Sequence, residues 1–159
     1  MAGRIALIVL ASVGPHVVHA AQDEDTSTDA LIETTLSLAS SIGQARYNHA
    51  PGFQLEPEFE GLGTAFFTNR NTVATNVHVA ATGSYLVFEF PGGKRARPLT
   101  VAQVHPELDW VEFAVEWMGG VEPPAGLPLA PAAVVHHGER VAVYGGPLGL
   151  KDTLTTGVV

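Results

Sequence analysis

The sequence predicts an all-β protein, a barrel or a sandwich. Short runs rich in β-branched and aromatic residues recur from Gly61 to the end of the chain, and turn chemistry separates them. The chain is generous in Gly (17) and Pro (11), which favours a turn-rich architecture over a helix bundle. At 46% apolar and 15% charged residues over 159 positions, it can bury a core, and its length suits one ordinary domain.

The elements follow in order. "AQDEDTST", residues 21 to 28, is polar and reads as a flexible segment. In "DALIETTLSLAS", Leu31, Leu38 and Ile42 fall near helical spacing, with Thr28 or Asp29 as cap, and predict a short helix. "SIGQARY" can begin a strand, and "NHAPGFQLEPEFEG" reads as a loop. "GTAFFT", "TVATN" and the alternating "SYLVFEF" read as strands. "PGGKR" is a hairpin loop, because Gly92 and Gly93 accept the positive φ that tight hairpins require. "PLTVAQVH" and "DWVEFAVEW" are two further strands. "GGVEPPAGLPLAP" is a Pro/Gly-rich connector, and "ERVAVYGG" and "TLTTGVV" are strands beyond it. The last of these has no closing partner after it, so the sequence reads as cut off.

Charge and composition exclude several function classes. The formal net charge is −8 with only 8 basic residues, so the basic stripe that nucleic-acid binding needs is missing. With no cysteine, disulfide frameworks and thiolate metal sites are excluded. The N-terminus reads as exported. Arg4 supplies a positive start, Ile5 to Gly14 an apolar run, and Val18 and Ala20 small residues before a cut after Ala20. That run is about half of the roughly 20 residues a spanning helix needs, and Pro15 ends it. The expectation is a signal peptide over 1–20, a periplasmic or secreted mature chain, and no membrane association after cleavage.

His78 is the residue most in need of explanation, an imidazole within "TVATNVHVAATG". Three stretches bear on it. "GLGTAFFTNRNTVATNVHVA" resembles the segment of trypsin-like serine proteases of the HtrA/Deg type in which a Gly-x-Gly strand, a turn and a "TN-x-HV" strand end deliver the catalytic histidine. Gly61, Gly63, Thr75, Asn76, His78 and Val79 match it. "VAQVHPELDWVEFAV" is similar to the strand and turn that carry that family's aspartate, which falls at Asp109. "GERVAVYGGPLGLKDTLTTGVV" resembles the opening of the family's second barrel through Gly138, Val141, Gly145, Pro147, Gly149, Thr156, Gly157 and Val159. Gly146 stands where the family commonly has asparagine, and Glu112 where it has an apolar residue.

The resemblance covers roughly residues 40 to 159 and implies a trypsin-like fold there: a first six-stranded antiparallel barrel over 40–125 and the truncated start of a second barrel over 126–159, preceded by the flexible N-terminus and short helix read from the residues of 21–39. It also implies catalytic roles. A serine hydroxyl is a poor nucleophile at neutral pH and needs an imidazole base, itself oriented by a carboxylate. His78 is then the base and Asp109 its partner. Glu112 is the rival carboxylate and requires a shifted register. The other histidines are weaker candidates: His16 and His19 lie in the leader, and His49 and His105 are assigned to loops. His136 and His137, being adjacent, would point to opposite faces of a strand. No metal or cofactor is implied, and the partner is a polypeptide substrate or peptide.

The nucleophile is not among these residues. The serines are Ser12, Ser27, Ser37, Ser40, Ser41 and Ser84, and none stands in a "G-x-S-G-G" turn. The reading is a truncated serine endopeptidase, inactive alone, with a protease-like peptide-binding module as the alternative. The second-barrel hairpin is expected to pack poorly, because two strands cannot bury their apolar faces unaided.

Overall fold

In the computed structural model the described residues are 4–10, 15–21, 28–48, 59–81, 85–120, 122–127, 137–138, 140–145 and 152–158. They hold ten strands: β1 (Arg4–Leu10), β2 (Pro15–Ala21), β3 (Ile42–Asn48), β4 (Phe59–Asn69), β5 (Thr72–Asn76), β6 (Leu86–Phe90), β7 (Lys94–His105), β8 (Trp110–Met118), β9 (Arg140–Gly145) and β10 (Thr153–Val158). Helix α1 spans Thr28–Leu38 and the single turn α2 spans Val77–Ala81.

Strands β3 to β8 close into a six-stranded antiparallel barrel in the order β3-β4-β5-β8-β7-β6, with β6 returning to β3. The period-2 alternation of strands explains how two cores form from the same segments. One set of residues fills the barrel: Ala45, Ala65, Phe67, Val73, Phe88, Phe90, Ala96 and Val115, joined by Val79 from α2. Phe67 is its hub, stacked on Trp117 at 4.8 Å and tilted against Phe90 at 4.2 Å. Phe66 and Ala74, immediate neighbours of that set, face outward and pack, together with Ile42, with Leu31 of α1, Leu127, and Ala142 and Tyr144 of β9.

Turn chemistry works as the sequence implies. Between β6 and β7, Gly92 and Gly93 hold φ of 78° and 71°, values that carry a steric cost for residues with a Cβ. Helix α1 forms, and the helical pattern resolves differently in detail. Leu31 and Thr35 are its buried residues, whereas Ile42 belongs to β3.

Three elements differ from expectation. Strand β4 begins at Phe59, so the end of "EPEFEG" is strand, paired through Tyr47↔Glu60 and Asn48↔Phe59. His105 closes β7 opposite Trp110 and is not in a loop. The β9–β10 hairpin joins an open sheet of order β10-β9-β1-β2. The stretch read as a leader thus supplies β1, parallel to β9 through Leu7↔Ala142, and β2, antiparallel to β1. Strand β9 is better covered than two strands alone allow, since Ala142 and Tyr144 are buried in the cluster shared with the barrel's outer face. Among the described residues, no helix is long and apolar enough to cross a membrane.

Candidate active site

Three strand ends meet at one corner of the barrel. Asn76, the last residue of β5, is opposite Trp110, the first of β8, and Trp110 is also opposite His105, the last of β7. The link from β7 to β8 is a short 3-10 turn, Pro106–Leu108, closed by Asp109. Asp109 takes a left-handed conformation at φ 51°, ψ 37°, and its N–H donates to the Pro106 carbonyl at 3.1 Å. Aspartate is among the few non-glycine residues that tolerate this region. The conformation turns the carboxylate back toward the chain leaving β5.

That chain is α2. The β-rich reading of "TVATNVHVA" places His78 on a strand end; instead the strand stops at Asn76 and one helical turn carries the imidazole. The turn is tied to Asp109 at several points. The Val77 N–H donates to the Asp109 carbonyl at 3.1 Å. The Asn76 side-chain amide donates to the same carbonyl at 3.0 Å. The His78 N–H donates to Asp109 Oδ1 at 3.0 Å. The His78 ring meets Asp109 Oδ2 through Nδ1 at 2.5 Å. A carboxylate only accepts, so Nδ1 carries the proton, and Nε2 is left as the basic nitrogen. The imidazole is 42% exposed and the carboxylate 27%, so the ring lies open to an incoming group while its partner is more sheltered.

The sequence candidates thus separate cleanly. His78 and Asp109 are brought into contact. Glu112, the rival, faces the other way: it is opposite Ala74 on β5 and accepts a hydrogen bond from the Thr68 hydroxyl. Ser41 is buried, and its hydroxyl donates to the Ala125 carbonyl. His137 lies in an exposed turn, and His49 and His136 fall outside the described residues. Among the described residues, no group of three or more His, Asp or Glu is placed to hold a metal ion. Two contributors that sequence reasoning left without a role are Asn76 and Gly63. Both stood in matched motifs, but what they do depends on contacts across the fold.

A cavity of about 340 Å³ lies between the barrel and the second sheet, lined by Gln44, Glu89, Phe90, Tyr144 and Asp152 among others. Neither His78 nor Asp109 lines it.

A closed six-stranded antiparallel barrel with a histidine and an aspartate paired at its corner is consistent with the chymotrypsin fold. The chain resembles the trypsin-like serine proteases of the HtrA type. Over 87 residues it is 32% identical to "Serine protease HTRA2, mitochondrial" of Bos taurus, a match covering 55% of this chain and 18% of that protein. No family model matches the chain.

Proposed function

We propose that the chain carries the proton-handling half of a serine endopeptidase, with His78 as general base and Asp109 as the carboxylate that orients it. The observation that supports this best is the Nδ1–Oδ2 contact of 2.5 Å, made while the ring stays partly open to solvent. The carboxylate fixes the tautomer and stabilises the imidazolium that forms when a hydroxyl proton is taken. Polypeptide is the substrate class the family resemblance supports. None of the six serines stands in a "G-x-S-G-G" turn, the setting that supplies the nucleophile and the oxyanion hole. Losing a triad member costs about four to six powers of ten in rate, so on this reading no measurable hydrolysis is expected from the chain by itself. The test is the reading frame downstream of Val159. A "G-x-S-G-G" segment there, and casein hydrolysis by the joined product that His78→Ala abolishes, support the proposal. Hydrolysis by the 159-residue chain blocked by a serine-directed phosphonate overturns the assignment of inactivity. A joined product indifferent to His78→Ala overturns the role of the base.

The leader reading also belongs here. Export to the periplasm or outside the cell, with cleavage after Ala20, would remove β1 and nearly all of β2 from the edge of β9. Mass spectrometry of the exported chain tests it, and a mature product still beginning at Met1 counts against it.

A second reading, a non-catalytic module that binds peptides by strand addition, is favoured by one observation. Strand β7 pairs with β6 only from Lys94 to Ala96, whereas it pairs with β8 as far as His105. Leu99, Val101 and Val104 along the longer part are each about half exposed. Extended peptides add to such edges through main-chain hydrogen bonds. Peptide binding unaffected by His78→Ala separates this reading from the first.

A further inference from the structure

Asn76 is fully buried, and its amide donates to a main-chain carbonyl on the other side of the site. That carbonyl belongs to Asp109, whose carboxylate holds the imidazole. Burying an amide is unfavourable unless its hydrogen bonds are met, and the donor half of this side chain meets one across the site. Asp109 itself is held in a left-handed conformation, which is less populated than the extended or right-handed alternatives. A peptide unit in that state keeps its orientation only when its surroundings over-determine it. Two donors do so here, the Asn76 amide at 3.0 Å and the Val77 N–H at 3.1 Å, both on the Asp109 oxygen. The same three-residue stretch that carries His78 therefore fixes the main chain of Asp109, while the His78 N–H fixes its carboxylate.

We propose that Asn76 is a positioning residue for the histidine–aspartate pair: its buried amide clamps the Asp109 carbonyl and so fixes the carboxylate against the ring. This rests on reading His78 and Asp109 as base and orienting carboxylate. Asn76 touches no reacting atom. Its effect passes through the backbone of Asp109, and a side chain of similar volume without a donor cannot reproduce it.

The experiment is hydrogen exchange and imidazole NMR on the full 159-residue chain. In the wild type the Asn76 side-chain amide protons are expected to be protected to the same degree as the Val77 main-chain amide. Freely exchanging Asn76 amide protons overturn the proposal, and this measurement needs no variant. In Asn76→Ala the Val77 and His78 amides should exchange about tenfold faster, the factor one net hydrogen bond supplies. The deshielded His78 Nδ1–H resonance should broaden, and the Val115 amide, which donates to Asn71 elsewhere in the barrel, should be unchanged. Equal acceleration at Val115 means general loosening and overturns the proposal, as does an unchanged site. Asn76→Val, which also lacks a donor, is read in the same way if the alanine variant does not fold. Asp109→Asn separates the two levels. If it shifts the Nδ1–H resonance and Asn76→Ala does not, the clamp alone fails. If Asp109→Asn leaves the resonance unmoved, the pairing beneath the clamp fails as well.

Discussion

Gly63 on β4 lies directly under Val79 of α2: a Cβ built on Gly63 would sit 2.7 Å from Val79 Cγ2 and 3.4 Å from Cγ1. Val79 is buried in the barrel interior and neighbours His78. The absence of a side chain at one strand position thus sets how deeply the turn carrying the imidazole seats in the barrel.

Gly63→Ala should therefore loosen the site. Val79 is β-branched with few alternative rotamers, and overpacking a filled core costs about 1–3 kcal/mol. Melting should show that loss, and the His78 ring resonances should shift. The double variant with Val79→Ala tests the cause. If the contact is responsible, Val79→Ala destabilises the Gly63→Ala background less than the wild type, and strict additivity would refute the steric account.

The barrel interior should be far more sensitive than its surface. Phe67 is fully buried between Phe90 and Trp117, so Phe67→Ala should cost about 3–5 kcal/mol in denaturant unfolding. Arg97 pairs with Glu116 on an exposed face, where the side chains are 60% and 49% accessible. Screening reduces such pairs to about 0–1 kcal/mol, and Arg97→Ala should barely move the unfolding midpoint. Comparable losses from the two substitutions would mean that the interior is not the main source of stability.

Much of this fold could be read from local chemistry. "GTAFFT" and "TVATN" gave strands because alternating residues feed two cores, and Gly92–Gly93 gave the turn because of its backbone angles. The contact of His78 with Asp109 was visible through motif resemblance alone, since the partners stand 31 positions apart. What escaped was what tertiary contacts impose. Val77, His78 and Val79 have strand-like propensity, yet the chain turns there, with main-chain bonds to Asp109 holding it. The left-handed state of Asp109 and the clamp by Asn76 are likewise products of distant segments meeting. Strand β4 runs back to Phe59 because β3 offers a pairing edge, which the acidic, Pro-containing text before Gly61 does not announce.

Asp109 combines a charge with an unusual backbone, and two substitutions take these apart. Asn accepts the left-handed region about as well as Asp, and its oxygen can still accept from the His78 N–H. Asp109→Asn should fold and melt close to the wild type while losing the charged partner of the ring. Asp109→Val places a β-branched residue at φ 51° and should cost about 1–3 kcal/mol for the strained backbone, in addition to the lost bonds. If the two variants melt alike, the backbone conformation of Asp109 contributes nothing of its own.

Tyr144 gives the fold an alkaline limit. Burial in the cluster beneath β9 pushes its hydroxyl up to about 12, aided by the hydrogen bond it donates to Asp152 Oδ1 at 2.8 Å and by that carboxylate's negative charge. The unfolded chain releases the same proton near 10. A raised folded-state value means the native chain holds the proton more tightly. The resulting stabilisation is complete below pH 10 and is lost as pH rises through about 12. Unfolding free energy should accordingly fall across that window, while the native tyrosinate absorbance that Tyr144→Phe removes appears only at its upper end, near pH 12. Tyr144→Phe should flatten the decline. Asp152→Asn should shift it to lower pH by only part of the interval, because burial is the larger cause and remains. A decline of the same steepness in Tyr144→Phe would assign the alkaline limit to other groups.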